Sequence, residues 1–414
     1  MRSDEQVWTA VGLEVDRQER QLELIASENH ASAEVIAAMG TALTNKYAEG
    51  YPGRRYYGGC EHVDTVEDLA RDRVRELFGA ERANVQPHSG TQANMAALMA
   101  LCDPGDKVLA MSLDHGGHLS HGHPKNFSGV FYDFHHYGVS KDAETIDMDE
   151  VRSLALELRP AVILAGASAY SRTIDFEAFA SVAKEVGAKL MVDMAHIAGL
   201  VAGGVHPSPI PHADVTTFTT HKTLRGPRGG AVLAEVEVIK KVNSALFPGG
   251  QGGPLMHVIA AKAIAFREAL APEFSKYAQA VVANASAMAD RLHERGLRIV
   301  SGGTDNHVML LDVGAKGLSG REAEDLLHAV DITCNKNLIP YDERPPMEAS
   351  GVRLGSAAIT TRGLNAADCT QLADWIADVL EAPADMALAA RVRGEVSELA
   401  GRYPIYQAAT VGGV

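Results

Sequence analysis

The chain has 414 residues, of which 46% are hydrophobic and 22% charged, with a net charge of −15 and a pI near 5.6. This length and composition predict a globular protein of two or three domains with a large core. The acidic balance argues against a nucleic-acid or anionic-membrane surface, and no stretch approaches the roughly 20 apolar residues of a membrane span.

The cysteines and the N-terminus indicate the cellular compartment. The four cysteines are scattered and form no CxxC pair, which is typical of reduced thiols rather than of a disulfide framework or a zinc knuckle. The first 20 residues are charged and lack the apolar segment of a secretory signal. We therefore expect a cytoplasmic protein.

Short apolar, β-branched runs alternate with helical patterns in the first two thirds of the chain. They predict buried strands over residues 107–112, 161–168, 189–195, 215–220 and 229–236. Residues 175–187 predict a helix, with Asp175 as its N-cap and Gly187 as its stop. Strands that are continuously apolar and alternate with helices indicate a largely parallel sheet covered on both faces.

The last third predicts a smaller α+β domain. RIVSGG (298–303) and HVMLLDV (307–313) suggest two strands around a turn. SGREAEDLLHAV (319–330) predicts a helix that opens with a Ser319/Glu322 capping box, and residues 370–382 predict another amphipathic helix. A long helical stretch near residues 255–295 precedes this domain.

Residues 112–126, SLDHGGHLSHGHPKN, carry four histidines and Asp114. Clusters of histidine and carboxylate are typical of metal sites, so a zinc-dependent hydrolase is one hypothesis. The glycines of the tract favour a second hypothesis, in which the backbone approaches another kind of ligand. The sequence of the tract leaves both open.

Three further features lie at the ends of predicted elements. Asp193 and His196 follow a buried strand, where open α/β sheets bind ligands. Lys222 follows the next strand, and a buried lysine with a lowered pKa is the usual Schiff-base nucleophile. Residues 89–91 open an apolar helix whose dipole favours a phosphate. The plainer interpretations are a capping aspartate, a surface lysine and a simple N-cap. Together the three features supply the lysine, the acid and the phosphate cup that pyridoxal phosphate needs.

Seven blocks of the sequence resemble the serine hydroxymethyltransferase family. They are ELIASEN, LTNKYAEGYPGRRYYGG, ANVQPHSGTQANMA, VDMAHIAGL, THKTLRGPRGG, FPGGQGGPLMH and VRLGSAAITTRG, in family order from residue 23 to residue 363. The resemblance implies an α/β pyridoxal-phosphate-dependent transferase of fold type I (aspartate-aminotransferase-like) with a smaller C-terminal α+β domain. We expect an N-terminal arm over residues 1–40, a large cofactor-binding domain over 41–270 and a small domain over 271–414.

The implied reaction transfers the hydroxymethyl group of serine, or of an α-substituted serine, to tetrahydrofolate. Its products are glycine, or the α-substituted amino acid, and 5,10-methylenetetrahydrofolate. The cofactor is pyridoxal 5′-phosphate, tetrahydrofolate is the co-substrate, and no metal is implied. The alternative is a folate-independent threonine aldolase or transaldolase, and the metal-dependent hydrolase is the remote one.

By position, the resemblance implies roles for matched residues. Lys222 would bind the cofactor covalently, Asp193 would keep its ring nitrogen protonated, and His118 would stack on its ring. The catalytic set is Lys222, Glu49, Asp193, His118 and Tyr57. The cofactor-binding set is Ser89, Gly90, Thr91, His118, Ser168, Asp193, His196, His221, Lys222, Gly252 and Gly253. The substrate-binding set is Ser27, Tyr47, Glu49, Tyr57 and Arg353, and the folate-binding set is Leu113, Gly117, Leu119 and Asn337.

The resemblance also implies shared active sites, and the chain departs from the family pattern in places. Tyr47, Gly252 and Gly253 would reach a neighbouring subunit, so a homodimer or a dimer of dimers is implied. The departures are His30, Thr91, Asp114, His123, Cys334, Met347, Glu348 and Ala349. They cluster around the regions implied for folate and for the donor side chain. We therefore expect Asp114 to affect folate or donor preference more than cofactor binding.

Overall fold

The computed structural model describes residues 4–406, which divide into two compact units. Residues 4–30 and 280–406 form the first unit, and residues 31–279 form the second. The helices are α1 (Glu5–Arg20), α2 (Ala33–Met39), α3 (Glu61–Phe78), α4 (Gly90–Leu101), α5 (Phe127–Phe131), α6 (Met148–Leu158), α7 (Phe176–Val186), α8 (Ala198–Ala202), α9 (Val236–Ser244), α10 (Met256–Ala269), α11 (Pro272–Glu294), α12 (Gly320–Ala329), α13 (Ala357–Arg362), α14 (Ala366–Glu381) and α15 (Met386–Arg402). The domain boundaries expected at residues 40 and 270 stay predictions.

The strands are short. They are β1 (Leu22–Glu23), β2 (Gly50–Tyr51), β3 (Arg54–Arg55), β4 (Arg82–Asn84), β5 (Lys107–Met111), β6 (Asp133–Tyr137), β7 (Val162–Ala165), β8 (Lys189–Asp193), β9 (Val215–Thr219), β10 (Gly230–Ala234), β11 (Arg298–Ile299), β12 (Val308–Asp312), β13 (Ile332–Thr333), β14 (Asn335–Asn337) and β15 (Gly351–Gly355). Among residues 4–406, no helix combines the length and the apolar character needed to cross a membrane.

The second unit is built on a seven-stranded sheet in the order β4-β10-β9-β8-β7-β5-β6. Strands β6, β5, β7, β8 and β9 are parallel, as the alternation of strands and helices predicted. The central residues of β5, β7, β8 and β9 are buried on both faces, which is why these four strands read as continuous apolar runs. The edge strand β6 is only partly buried. Helix α7 has the predicted ends: the Asp175 side chain accepts from the Ala178 N–H, and Gly187 closes the helix at φ 75°.

Strand β10 departs from the parallel pattern, because it pairs antiparallel with both β9 and β4. Two reversals restore the direction, so β4 runs the same way as β9 and the other parallel strands. The residues that follow β4, β8 and β9 therefore emerge at one edge of the sheet. This edge receives residues 87–91, Asp193 and Lys222, and it is where open α/β sheets bind ligands.

The first unit is an α+β structure, as predicted. Strands β11, β12, β15 and β14 form an antiparallel sheet, and helices α12 and α14 contribute to the core beside it. The Ser319/Glu322 capping box opens α12. The predicted helical stretch over residues 255–295 is two helices, since α10 ends at Ala269 and α11 begins at Pro272. Proline is tolerated at a first helical position because its missing N–H has no partner there.

Candidate active site

Asp193 is the last residue of β8, and its position depends on a glycine that follows the neighbouring strand β7. Gly166 follows β7 with φ 145°, and a Cβ at this position would lie 2.3 Å from the carbonyl oxygen of Asp193. Only a residue without a side chain allows this approach. The carboxylate itself is 8% exposed, so it needs hydrogen bonds to remain ionised.

Three hydrogen bonds hold the Asp193 carboxylate. Its Oδ2 accepts from Nε2 of His121 over 3.1 Å and from Nδ2 of Asn94 over 2.8 Å. Its Oδ1 accepts from the backbone N–H of Ala195 over 3.0 Å. Burial alone would raise the pKa of this carboxyl, but the hydrogen bond from His121, the neighbouring imidazoles of His121 and His118 and the Asn94 amide hold the pKa well below its usual range. Asp193 is therefore an anion throughout the neutral pH range.

The hydrogen bonds also define the two histidine tautomers. Nδ1 of His121 accepts from the His118 N–H, so the neutral ring carries its proton on Nε2 and donates it to Asp193. Nδ1 of His118 accepts from the Ser120 N–H and lies 2.7 Å from Oγ of Ser120. Ser120 in turn accepts from the Asn94 amide. One buried network thus runs from the histidine tract to the carboxylate.

The same three side chains, His118, His121 and Asp193, form a group that could hold a metal ion. Their ligand atoms lie within 4.8 Å of one another. Two of the atoms already form the hydrogen bond between His121 and Asp193. The hydrogen bond to Asp193 therefore gives Nε2 of His121 a partner without an ion.

Lys222 lies three residues beyond β9, the strand beside β8, and is 7% exposed. Thr223 fixes its loop: its hydroxyl donates to the carbonyl of His196 over 2.8 Å and accepts from the Gly199 N–H over 2.9 Å. Burial, followed by the charges of Arg228 and Lys222, lowers the pKa of His221 to about 3. The imidazole beside Lys222 is therefore neutral at physiological pH.

Residues 89–91 form the start of α4, as predicted. Ser89 is the N-cap and accepts from the Gln92 N–H over 3.2 Å. A Cβ at Gly90 would lie 2.6 Å from Cγ2 of Thr219, and a Cβ at Gly230 would lie 2.5 Å from the Ser89 carbonyl. The first turn is thus packed tightly on the ends of β9 and β10.

Tyr47, Glu49, Tyr57, Gly252 and Gly253 lie together. The Tyr47 hydroxyl donates to Glu49 over 3.0 Å, and the two tyrosine rings meet edge to face at 5.1 Å. A Cβ at Gly252 would lie 3.4 Å from Oε1 of Glu49, and one at Gly253 would lie 3.4 Å from the Tyr47 ring. About half of each tyrosine is exposed.

The predicted folate residues of the second unit lie within the histidine tract. Leu113 and Leu119 are exposed by 40% and 51%, and Asp114 is also exposed. Gly117 is buried and packs closely on the backbone: a Cβ there would lie 2.3 Å from the Met111 carbonyl oxygen. Ser168 donates its backbone N–H to the Gly116 carbonyl over 2.7 Å, which joins the ends of β5 and β7.

Ser27, Asn337 and Arg353 belong to the first unit. Arg353 lies on β15, its Nε donates to Oδ1 of Asn335 over 3.3 Å, and burial lowers its pKa to about 10. Asn337 pairs with Gly351 across β14 and β15. Ser27 follows Ala26. Gly355 packs against Ala26 so closely that a Cβ on Gly355 would lie 2.4 Å from the Cα of Ala26.

Sequence reasoning missed the supporting residues His121, Asn94 and Ser120. Sequence reasoning assigned no role to His121, which is 2% exposed and bonded to Asp193. The i,i+3 spacing of His118 and His121 within a glycine-rich loop was the available signal. Nothing in the sequence marks Asn94, because its partners Ser120, Asp193 and Thr217 come from separate segments.

These residues fit pyridoxal phosphate. Nδ1 of His221 and Nε2 of His88 are buried and have no hydrogen-bond partner among the described residues, so the edge retains capacity for a polar ligand. An ionised buried carboxylate suits a protonated pyridine nitrogen, and the glycine-lined start of α4 suits a phosphate. Lys222, buried beyond the strand next to Asp193, has the chemistry needed to bind an aldehyde.

Comparison with known proteins agrees with this chemistry. The serine hydroxymethyltransferase family matches residues 1–376. A serine hydroxymethyltransferase of Acidobacterium capsulatum is 57% identical over 405 residues, which cover 98% of this chain and 95% of that protein. The chain therefore belongs to the serine hydroxymethyltransferase family, which confirms the predicted fold type I, the pyridoxal phosphate cofactor, the tetrahydrofolate co-substrate and the transfer of the hydroxymethyl group of serine.

Proposed function

We propose that Lys222, Asp193 and the start of α4 hold the cofactor in this chain. The observation that carries the assignment is the Asp193 carboxylate, buried at the end of β8, hydrogen-bonded to His121 and Asn94, and beside the strand that leads to Lys222. Lys222 would bind the aldehyde carbon. Ser89, Gly90 and Thr91 would receive the phosphate at the positive end of the helix dipole. His118 would contact the ring, while Ser168, His196 and His221 would line the pocket.

When bound, pyridoxal phosphate supplies an acceptor for the electron pair left on the α-carbon of the amino acid. Asp193 holds a proton at the ring nitrogen, because its ionised carboxylate favours the charged form of that nitrogen. His121 and Asn94 keep Asp193 in place for this task. The three side chains His118, His121 and Asp193 therefore serve the cofactor, and we assign no metal to them.

At the substrate end, Arg353 pairs with the amino-acid carboxylate. A planar guanidinium can bind both carboxylate oxygens at once. Glu49 moves a proton at the substrate hydroxyl or at the folate, and Tyr57 and Ser27 line this side. Leu113, Gly117, Leu119 and Asn337 contact the folate, where two exposed leucines suit an aromatic ring system.

We infer that active sites are shared between subunits. Tyr47, Gly252 and Gly253 reach a neighbouring site, in a homodimer or a dimer of dimers. The partial exposure of Tyr47 and Tyr57 supports this, because aromatic side chains are enriched where proteins associate. Size-exclusion chromatography with light scattering tests the proposal, and an active monomer would contradict it.

A spectrum and a product assay test the proposed site. The purified protein should absorb in the visible range, and borohydride should bleach this band by reducing the covalent link to Lys222. A Lys222→Ala protein whose absorbance is unchanged would overturn the assignment. For the donor, products are measured from serine, α-methylserine and threonine, each with and without tetrahydrofolate. We expect folate-dependent turnover of serine or the α-substituted serine. Cleavage of threonine alone, without folate, would favour the aldolase alternative.

A further inference from the structure

Lys262 is a buried cation that the proposed chemistry does not use. It lies on α10, only 1% of it is exposed, and it is among the largest fully buried side chains. Its Nζ donates to the carbonyls of Val85, Pro87 and Gly230 over 2.7, 3.0 and 2.8 Å. An ammonium group has three N–H donors, and here each donor has one carbonyl acceptor.

The three carbonyls belong to segments that surround residues 88–91, which include the proposed phosphate site. Val85 directly follows β4, Pro87 leads into residues 88–91, and Gly230 opens β10. The Pro87 carbonyl also accepts from the Gly230 N–H over 3.0 Å. Lys262 thus joins both strands to the backbone that enters the loop.

Glycine keeps space for this ammonium group. A Cβ at Gly229 would lie 2.6 Å from Cε and 2.9 Å from Nζ of Lys262. The side chain therefore fills a closed position against the backbone of β4, β10 and Pro87, and movement of Nζ would disturb both strands.

The charge of Lys262 also acts on this edge of the sheet. Burial lowers its pKa to about 7, while the buried carboxylate of Glu67 raises it. The positive charge in turn contributes to the lowered pKa of His88, after burial, and to that of His221, after burial and the charges of Arg228 and Lys222. A phosphate dianion at residues 89–91 would experience the same field, with attractive sign.

We propose that Lys262 is a positioning residue for the cofactor phosphate: it holds the backbone that enters the loop at residues 87–91 and adds positive charge near it. The inference rests on the proposed site. It implies that Lys262 acts on the phosphate ester of the cofactor and not on the link to Lys222.

The test compares two aldehydes that differ only in the phosphate. The full chain is freed of cofactor, and dissociation constants are measured for pyridoxal 5′-phosphate and for pyridoxal. Lys262→Met keeps the length of the side chain and removes all three donors and the charge. We expect its affinity for pyridoxal 5′-phosphate to fall about 10- to 100-fold, as for a lost charged hydrogen bond. Its affinity for pyridoxal should change by less than about threefold.

The exposed Lys241 on α9 offers the matched control, and Lys241→Met should bind both aldehydes as the wild type does. If Lys262→Met does not fold, Lys262→Gln retains two donors and should lose less affinity, again only for the phosphate ester. Unchanged affinity, or an equal loss for both aldehydes, would overturn the inference and leave the proposed site intact. Failure of the wild-type chain to bind either aldehyde through Lys222 would overturn the proposed site itself.

Discussion

His121 is the side chain on which the state of Asp193 depends most directly. Its Nε2 donates to Asp193 over 3.1 Å, with only 1% of the imidazole exposed. A hydrogen bond to a charged group contributes about 1.5–3 kcal/mol. Replacing His121 by leucine removes this donor and leaves the carboxylate with Asn94 and the Ala195 N–H. We therefore expect cofactor affinity to fall about 10- to 150-fold and the pKa of Asp193 to rise.

Absorbance titration of the cofactor-free protein measures the affinity, and activity as a function of pH reports the carboxylate. The pKa of Asp193 lies below its ordinary value of 3.8, so the wild type should keep this group ionised in acid. In the leucine variant the acid limb of the pH–activity profile should move to higher pH, because the carboxylate is protonated at a higher pH than in the wild type.

Two further variants sharpen the test. His121→Gln places an amide N–H near the position of Nε2 and should recover most of the affinity. His123→Leu lies in the same tract, where Nδ1 of His123 accepts only from the Lys125 N–H among the described hydrogen bonds, and it should behave as the wild type. A leucine variant at position 121 with wild-type affinity and an unmoved acid limb would refute the reasoning.

Three more outcomes follow from the structure. Gly166→Ala should lower the free energy of unfolding by at least about 2 kcal/mol in urea, because φ is 145° and Asp193 leaves no room. Gly187→Ala, whose Cβ would meet nothing within 4 Å, should cost less, and equal losses would contradict the steric argument. Asp114→Ala should change the KM for tetrahydrofolate or the donor preference more than the Kd for pyridoxal 5′-phosphate; identical kinetics with every donor would mean that Asp114 is only a surface change. Burial, followed by the charge of Arg362, lowers the pKa of His30 to about 4. The unfolded chain therefore takes up this proton first, and stability falls as pH drops from about 6.5 towards 4. Urea unfolding at pH 7 and pH 4.5 should show that His30→Gln avoids about 2 kcal/mol of this loss; equal acid sensitivity would exclude His30 as the cause.

The sequence predicted those parts of the fold that depend on local pattern. The parallel strands, the caps of α7 and the capping box of α12 all follow from residues close together in the chain. Asp193 and Lys222 could be singled out because they lie at or just beyond the ends of buried apolar strands, where open α/β sheets bind ligands. The break between α10 and α11 was missed, although Pro272 was a usable signal.

Other features depend on contacts that no local pattern contains. A lysine within IAAKAIAF reads as the polar side of a helix, but Lys262 is buried because three distant carbonyls receive it. Likewise, the antiparallel direction of β10 depends on its pairing with β4 and β9. The role of His121 could not be predicted without knowing which buried carboxylate its ring faces.

Because β10 runs antiparallel to both β4 and β9, β4 and the parallel strands end at the same side of the sheet. The sheet therefore has two rims, one at the C-terminal ends of these strands and one at their N-terminal ends. One rim gathers residues 87–91, the Asp193 carboxylate and Lys222. The opposite rim carries the short turns before the parallel strands, such as residues 103–106, where the Asp103 N–H donates to Asp106. Lys189 and Asp214 form an ion pair there over 2.8 Å. Since this rim is remote in the topology from the chemistry, its turns can be lengthened or exchanged at a cost in stability alone, and they are the natural places to attach a tag or an inserted domain.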